Sequence, residues 1–187
     1  GQYGGAGFAL AGLIMGYVSL LVSLLILPAL LLPALARAKA KAQSINCMNN
    51  MKQLGLAFRV WAIDHDDAFP FNVSTNKGGT LELCMAGNDA FDPSAAFHFQ
   101  IMSNELSTPK ILVCPQDTAK KPALTFAALQ PSNVSYQLCS GTNVCDTHPG
   151  TVLAVCPIHN NVLLCDGSVQ RVTKARLEAM LKGEQSP

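Results

Sequence analysis

Apolar residues fill the first fifth of the chain without interruption by charge. From Phe8 to Leu35 the residues are almost all Phe, Leu, Ile, Val, Ala and Met, and the first charged residue is Arg37. About 20 such residues suffice for an α-helix to cross a bilayer, so residues 1–36 are predicted to form a membrane-inserted stem. A helix buried in a soluble core is the alternative, but a chain of this size could hardly enclose so long an uncharged run.

Two glycines and two prolines punctuate this stem. Gly12 and Gly16 have the G-x-x-x-G spacing that permits close approach of two helices. Pro28 and Pro33 each remove a helical donor and crowd the preceding turn, which predicts a kink or local unwinding over residues 24–33. No basic segment precedes the run and no small-residue cleavage site follows it, so we do not expect a cleaved signal peptide.

An amphipathic pattern continues directly from the stem. Apolar residues recur every three or four positions, which predicts one face of a helix that ends near Asp64. The residues of this predicted face are Leu35, Ala38, Ala42, Ile45, Met48, Met51, Leu54, Phe58 and Trp61. Residues 37–187 are therefore expected to comprise this helix half and a head domain against which the face packs.

The head domain has the pattern of short strands separated by turns. Segments rich in β-branched residues predict strands, with a hairpin turn at His159-Asn160-Asn161. Two helices are predicted as well, at 92–104 after Asp92-Pro93 and at 174–182 between a Thr173 cap and Gly183. The predicted strands are 110–114, 134–138, 151–156, 162–165 and 168–172. The predicted class is α+β, a long N-terminal helix packed on a small antiparallel sheet with long disulfide-bearing loops.

Charge and cysteine content narrow the function classes. The net charge is +1 and only 13% of residues are charged, so no basic field indicates a nucleic-acid partner. The seven cysteines contain no C-x-x-C pair, so zinc, haem and thioredoxin-type sites lack their usual spacing. Dispersed cysteines beside a membrane stem indicate disulfides in an oxidising compartment, and the odd number leaves at least one thiol over. They are Cys47, Cys84, Cys114, Cys139, Cys145, Cys156 and Cys165.

The pairing of these cysteines is not deducible from sequence. Cys139 and Cys145 could close a short local loop, and the predicted hairpin could bring Cys156 close to Cys165.

Several polar residues are candidate sites, but none is expected to be catalytic, cofactor-binding or metal-binding. His65 among Asp64, Asp66 and Asp67 resembles a metal cluster, but acidic residues at a helix end are ordinary surface. His98, His148 and His159 are isolated in sequence, although a Cys–His pair can form in space. An envelope thiol or metal enzyme therefore remains an alternative hypothesis, ranked after a structural or binding role. Asn72 and Asn133 begin N-x-S triplets, the acceptor pattern for glycosylation.

The motifs around the stem resemble a known family. Phe8 after Gly7, the sequence Leu-Leu-Leu-Pro-Ala-Leu at 30–35 and the alternating Ala-Arg-Ala-Lys that follows resemble type IV pilins and type II secretion pseudopilins. Ile-Asn-Cys-Met-Asn-Asn-Met-Lys-Gln-Leu-Gly-Leu-Ala at 45–57 is similar to pilin-like proteins of Planctomycetes and Verrucomicrobia. So are Ile-Leu-Val-Cys-Pro at 111–115 and Val-Leu-Leu-Cys-Asp-Gly-Ser-Val at 162–169.

This resemblance implies a structural subunit of an extracellular pilus-like filament, with stems bundled inside and heads outside. The implied partners are other copies of the chain, the inner membrane before assembly and the pilus or secretion assembly machinery. A membrane-anchored minor pseudopilin or envelope binding component is the alternative.

Pilins usually carry Glu at the fifth mature position, and Gly12 occupies that place if Phe8 is the first mature residue. The resemblance also implies that the basic residues after the stem lie on the exported side, whereas the positive-inside rule alone would place them in the cytoplasm.

Overall fold

A computed structural model of the chain describes residues 5–84, 91–141 and 144–182, with the backbone alone for residues 6, 25, 27, 28 and 30. Contacts divide the chain into two compact units, Gly1–Ala42 and Gln43–Pro187. The long helix α1, Gly5–Ile63, contributes its first part to one unit and its second part to the other. Each unit is described by itself below.

The described part of the first unit, residues 5–42, is helix with its side chains in contact with solvent. Every described side chain of this unit is exposed, and the window Gly7–Leu24 has a mean hydropathy of 2.0 with none of it buried. That segment is long and apolar enough to cross a membrane. Helix α1 continues without a break through residues 24–33, so the predicted local unwinding at Pro28 and Pro33 is wrong, while the alternative, a kink, stays a prediction. A proline removes only one donor of the backbone ladder, and the helix on either side retains its own hydrogen bonds.

In the second unit, one face of α1 forms the centre of the core. The fully or nearly buried positions follow a regular helical spacing of four and three residues, at Cys47, Met51, Leu54, Phe58 and Trp61. The predicted face was correct from Met51 onward and wrong before it. Ile45 is half exposed, Met48 is only partly buried, and Leu35, Ala38 and Ala42 are exposed, because Cys47 takes the inward position at that turn.

Helix α1 ends where predicted, and the chain then folds back onto it. Asp66 and Asp67 adopt positive φ angles of 55° and 57°, which helices use to terminate. The reversal brings Phe69 and Phe71 onto Phe58, with the Phe58 and Phe69 ring centroids 5.3 Å apart in an edge-on arrangement. Aromatic packing thus secures the return of the chain.

The sheet is an antiparallel meander of four short strands in the order β1-β2-β3-β4. They are β1 Gln137–Leu138, β2 Val152–Cys156, β3 Asn161–Leu164 and β4 Val169–Arg171. The strands predicted at 151–156, 162–165 and 168–172 and the hairpin between the first two are confirmed. Of the strand predicted at 134–138, only the two residues of β1 are observed. The strand predicted at 110–114 is wrong. Pro109 and the Thr108 cap open a 3-10 helix there instead.

Short helices complete the second unit. Helix α4, Lys174–Leu181, begins at Thr173, whose side chain accepts a hydrogen bond from the Arg176 amide, as predicted; Gly183 lies outside the described residues. The helix predicted at 92–104 is broken at Met102 into α2, Ala95–Ile101, and α3, Ser103–Leu106. The 3-10 helices are Pro70–Asn72, Thr75–Lys77, Leu81–Leu83, Pro109–Leu112, Phe126–Ala128 and Pro131–Asn133. The class is therefore α+β.

Helix α1 lies close against the sheet and its last turn at Gly55. A Cβ atom added there would lie 2.7 Å from Leu163 Cδ1 and 3.0 Å from Gly167 Cα. Gly167 lies in the β3–β4 turn with φ 82°, a conformation that glycine adopts without strain. The two glycines therefore let the helix and the turn touch backbone to backbone.

Candidate functional site

Four buried residues from separate parts of the second unit bring their donor atoms together. Cys47 lies on the inward face of α1, Cys114 follows the 3-10 helix Pro109–Leu112, and Cys156 ends β2. His159 lies in the turn that joins β2 to β3. The three sulfur atoms and a ring nitrogen of His159 all lie within 4.8 Å of one another. We call this group the Cys3His cluster.

Local structure fixes each member of the cluster. Two amide side chains of α1 hold the segment around Cys114, since Asn50 Nδ2 donates to the Val113 carbonyl at 3.4 Å and Gln43 Nε2 to that of Pro115 at 3.1 Å. The hairpin register pairs Cys156 with Asn161. His159 is held between them, in a turn whose next residue, Asn160, has φ 52°.

The imidazole of His159 faces the sulfur atoms with its Nδ1. This nitrogen lies 3.4 Å from Cys114 Sγ and 3.8 Å from Cys156 Sγ. Nε2 of the same ring is buried and has no hydrogen-bond partner among the described residues. Only 5% of His159 is exposed, and the three cysteines are between 0 and 1% exposed. The cluster is therefore closed to solvent.

Two polar side chains surround the Cys47 sulfur. Asn161 Nδ2 donates to Cys47 Sγ at 3.5 Å, and the Tyr136 hydroxyl donates to it at 3.8 Å. Burial raises the pKa of Tyr136 above its usual range, so this hydroxyl keeps its proton. The sulfur of Cys47 thus accepts hydrogen bonds from two side chains that lie outside the cluster.

The three thiols of the cluster do not titrate alike. Hydrogen bonds from Cys114 and then from Cys47 lower the pKa of Cys156. The pKa values of Cys47 and Cys114 are raised, since each thiol donates to a sulfur of the cluster and burial opposes a second charge. The hydrogen bonds among the three thiols therefore favour negative charge on Cys156 over Cys47 and Cys114.

The cysteines do not form the expected disulfides. All seven are free thiols in this structure, and three of them converge with a histidine instead of pairing. The predicted approach of Cys156 to Cys165 is wrong. Cys156 pairs with Asn161 at the turn end of the hairpin, whereas the Cys165 amide donates to the Thr151 carbonyl at the opposite end.

The other four cysteines lie outside the cluster. Cys139 and Cys165 are buried, and burial raises the pKa of each to about 12. Cys145 is partly exposed, with its sulfur 3.0 Å from His148 Nδ1. Cys84 Sγ lies 3.0 Å from the Ser140 hydroxyl. The short loop between Cys139 and Cys145 is not closed by a disulfide.

A second buried polar group contains His98. Its Nε2 lies 3.0 Å from Asp92 Oδ2 and its Nδ1 lies 2.6 Å from Thr80 Oγ1, while Ser140 donates to the same carboxylate. Burial lowers the pKa of His98. The pKa of Asp92 is lowered too, because hydrogen bonds from Ser140, His98 and the Ser94 amide outweigh its burial. All of His98 is buried, so this group fastens α2 to the chain before it.

The histidine and aspartates at the end of α1 are part of the helix terminus. His65 stacks on Trp61 with ring centroids 3.5 Å apart, and its Nδ1 lies 2.8 Å from the Trp61 carbonyl oxygen. Asp66 and Asp67 occupy the turn that ends α1. Within the described residues, only the Cys3His cluster brings three or more potential metal ligands together.

The two asparagines of the N-x-S triplets donate hydrogen bonds to backbone carbonyls. Asn72 Nδ2 donates to Val144 at 2.9 Å, and Asn133 Nδ2 donates to Lys121 at 2.8 Å. A sugar attached to either nitrogen would remove one donor hydrogen and crowd that contact. Glycosylation at these positions stays a prediction.

The stem residues singled out by sequence lie on exposed helix. Phe8 is 83% exposed, and a Cβ atom added at Gly12 or Gly16 would meet nothing within 4 Å. Pro33 is exposed too, and the side chain of Pro28 lies outside the described residues.

Sequence reasoning missed the Cys3His cluster because it looked for C-x-x-C. The signal was Cys156-Pro-Ile-His159, a C-x-x-H pair on a tight turn. Cys47 and Cys114 lie in two of the segments on which the resemblance to pilin-like proteins rests, but nothing in their spacing shows that they meet. Comparisons of the chain with models of protein families, with curated proteins and with solved structures found no match.

Proposed function

We propose that the chain is a structural subunit of a pilus-like helical filament on the cell surface. In this proposal the apolar stems bundle in the filament core and the second units face outward. The chain resides in the inner membrane before the assembly machinery extracts it. The observation that carries the proposal is the exposed apolar surface of the first unit.

The exposed surface is large in energetic terms. Fifteen large apolar side chains of the first unit are more than two-fifths exposed, which at about 1 kcal/mol each leaves on the order of 15 kcal/mol of burial to be gained. They are Phe8, Leu10, Leu13, Ile14, Met15, Tyr17, Val18, Leu20, Leu21, Val22, Leu24, Ile26, Leu31, Leu32 and Leu35. A bilayer or other stems can cover this surface, and a contact repeated head to tail without closing produces a filament.

Small residues mark the face on which stems would approach each other. Gly12, Gly16, Ser19 and Ser23 follow each other at spacings of four, three and four, which places them on one side of a helix. A shallow groove runs along Gly16, Ser19 and Ser23. Small residues at this spacing let helix backbones pack closely inside an apolar environment.

Electron microscopy of material sheared from cells tests the proposal. We expect fibres that contain the chain, and a population entirely of membrane-bound monomers would overturn it. Ser19→Phe should prevent fibres because it fills the groove. Leu21→Phe adds bulk on the opposite side of the helix and serves as the matched control. Equal assembly by both variants would contradict the packing face.

A minor pseudopilin or envelope binding component, held permanently in the membrane, is the second candidate. The apolar window Gly7–Leu24 is consistent with a lasting anchor. Copy number distinguishes the two, since a minor component stays in the membrane fraction in few copies. A filament subunit is abundant and leaves the membrane fraction on shearing.

A further inference from the structure

We propose that the Cys3His cluster binds one structural Zn²⁺ ion through the sulfur atoms of Cys47, Cys114 and Cys156 and through Nδ1 of His159. This proposal departs from the expectation, drawn from sequence, that the chain has no metal ligands. It rests on the second unit alone and does not depend on the filament proposal.

The spacing of the ligand atoms suits a tetrahedral zinc site. Zinc–sulfur bonds of about 2.3 Å and zinc–nitrogen bonds of about 2.0 Å place sulfur and nitrogen ligands about 3.5 Å apart in a tetrahedron. The two distances from His159 Nδ1 to sulfur are 3.4 and 3.8 Å. All four atoms lie within 4.8 Å of one another, so small rotations of side chains complete the site.

A cation explains an otherwise unfavourable imidazole. His159 is buried, yet its Nδ1 faces only sulfur atoms, which are weak hydrogen-bond donors. A buried polar group without good partners destabilises the fold, because it has lost its hydrogen bonds to water and gained no equivalent ones. Coordination of a metal ion by Nδ1 gives this nitrogen a strong partner in place of two weak contacts.

Two hydrogen-bond donors outside the cluster support the charge that zinc binding would leave on it. Binding follows Zn²⁺ + 3 Cys–SH + His → Zn(Cys–S)3(His)⁻ + 3 H⁺, with no change of oxidation state. The product has one net negative charge. Asn161 and Tyr136 already donate hydrogen bonds to Cys47 Sγ, and such outer donors orient a thiolate ligand and spread its charge.

The types of the ligand atoms indicate both which metal binds and whether its role is structural or catalytic. Thiolates and imidazole favour Zn²⁺ over the hard cations Mg²⁺ and Ca²⁺, which take oxygen ligands. Four protein ligands and complete burial leave no open position for water or substrate, as in structural rather than catalytic zinc sites. The ion would join the long helix, the segment after the 3-10 helix and the β2–β3 hairpin.

A disulfide is the competing use of these cysteines. It would join only two of the three sulfur atoms and leave the third thiol and His159 buried without a role. Zinc uses all four groups at once. The two alternatives differ in mass, in metal content and in their response to chelators, so experiment separates them.

The first test measures metal content in the full chain purified in detergent from cells supplied with zinc, iron and copper. We expect about one zinc ion per chain. Cys47→Ser, Cys114→Ser, Cys156→Ser and His159→Ala should each lose it. Cys165→Ser, which alters a buried cysteine outside the cluster, should retain it. Zinc retained in the four ligand variants, or iron or copper in place of zinc in the unaltered chain, would overturn the proposal.

A second test avoids variants that fail to fold. The unaltered chain is alkylated without reductant, before and after treatment with a chelator, and the modified peptides are identified by mass spectrometry. We expect Cys47, Cys114 and Cys156 to become reactive only after chelation. A disulfide between any two of them, or reactivity that chelation does not change, would overturn the proposal. Asn161→Leu should weaken zinc binding about 10–100-fold while leaving all four ligands in place.

Discussion

The contact between Gly55 and the β3–β4 turn yields the sharpest test of the fold. Replacing Gly55 with alanine adds one methyl group on the inward side of α1. The new Cβ atom would lie 2.7 Å from Leu163 Cδ1 and 3.0 Å from Gly167 Cα. Leu163 can rotate its methyl group away, but Gly167 is backbone in a turn with positive φ. The helix and the turn must therefore move apart.

Two opposing effects set the size of the change. Alanine is favoured over glycine inside a helix by about 1 kcal/mol. Overpacking a well-packed core costs about 1–3 kcal/mol. The expected net loss in the free energy of unfolding is thus about 0–2 kcal/mol, and the steric part alone is about 1–3 kcal/mol. A reference site is needed to isolate that steric part.

Gln53 supplies the reference, since it lies two residues away on α1 with an exposed side chain. Gln53→Ala and Gln53→Gly measure the helix preference for alanine without any packing change. Urea unfolding of the full chain in detergent, followed by fluorescence of Trp61, gives each free energy. Trp61 is the only tryptophan and is buried in the second unit, so its signal reports on that unit.

We expect alanine to be more stable than glycine by about 1 kcal/mol at position 53 and to lose that advantage at position 55. An equal gain at both positions would refute the close approach. Gly55→Ala combined with Leu163→Val adds a further check. The two changes should be less harmful together than their sum, because the shorter side chain relieves part of the clash.

Four further predictions concern stability. Phe58→Ala should cost about 3–5 kcal/mol, because it opens a cavity among the aromatic rings, measured by urea unfolding. Thr173→Ala should cost about 1 kcal/mol of α4 stability through its lost cap, measured by hydrogen exchange of the amides of α4. Stability should fall as the pH drops below about 6.5, the usual pKa of an unfolded histidine, because burial lowers the pKa of His98 in the folded chain and the unfolded chain then binds more protons. Chelation should lower the urea midpoint strongly, since structural zinc contributes on the order of 10 kcal/mol in small domains.

Each of these predictions has a control. Leu56→Ala removes an exposed side chain of α1, so a loss as large as that of Phe58→Ala would contradict the placement of the core. Ser107→Ala changes a residue outside α4 and its cap and should leave the exchange of α4 unchanged. His98→Gln should reduce the dependence on pH, and an unaltered slope would exclude His98 as its source. A chelated chain as stable as the untreated one would argue against a structural metal.

Sequence reasoning predicted the elements that one periodic pattern defines. The uncharged run, the end of α1 and the hairpin before Asn161 follow from local residue types. The inward face of α1 was predicted well from Met51 onward, where large apolar residues keep the helical spacing. It failed at Cys47, because a cysteine can be a core residue or a ligand and its environment decides between them.

Contacts between distant segments could not be predicted in this way. Residues 110–114 have strand-like composition, but Pro109 removes a donor and Thr108 caps a helical turn. The Cys3His cluster joins positions 47, 114 and 156, and only the packing of α1 against the hairpin brings them together. The Cys156–His159 pair alone was visible in sequence.

The edge strands of the sheet affect whether neighbouring copies of the chain can aggregate by extending the sheet. Its outer strands, Gln137–Leu138 and Val169–Arg171, contain two and three residues. Long exposed edges recruit strands from neighbouring molecules and lead to aggregation. Edges this short offer a neighbour too few backbone groups to extend the sheet. In the proposed filament, where second units stand side by side at very high local concentration, association would be left to the stems.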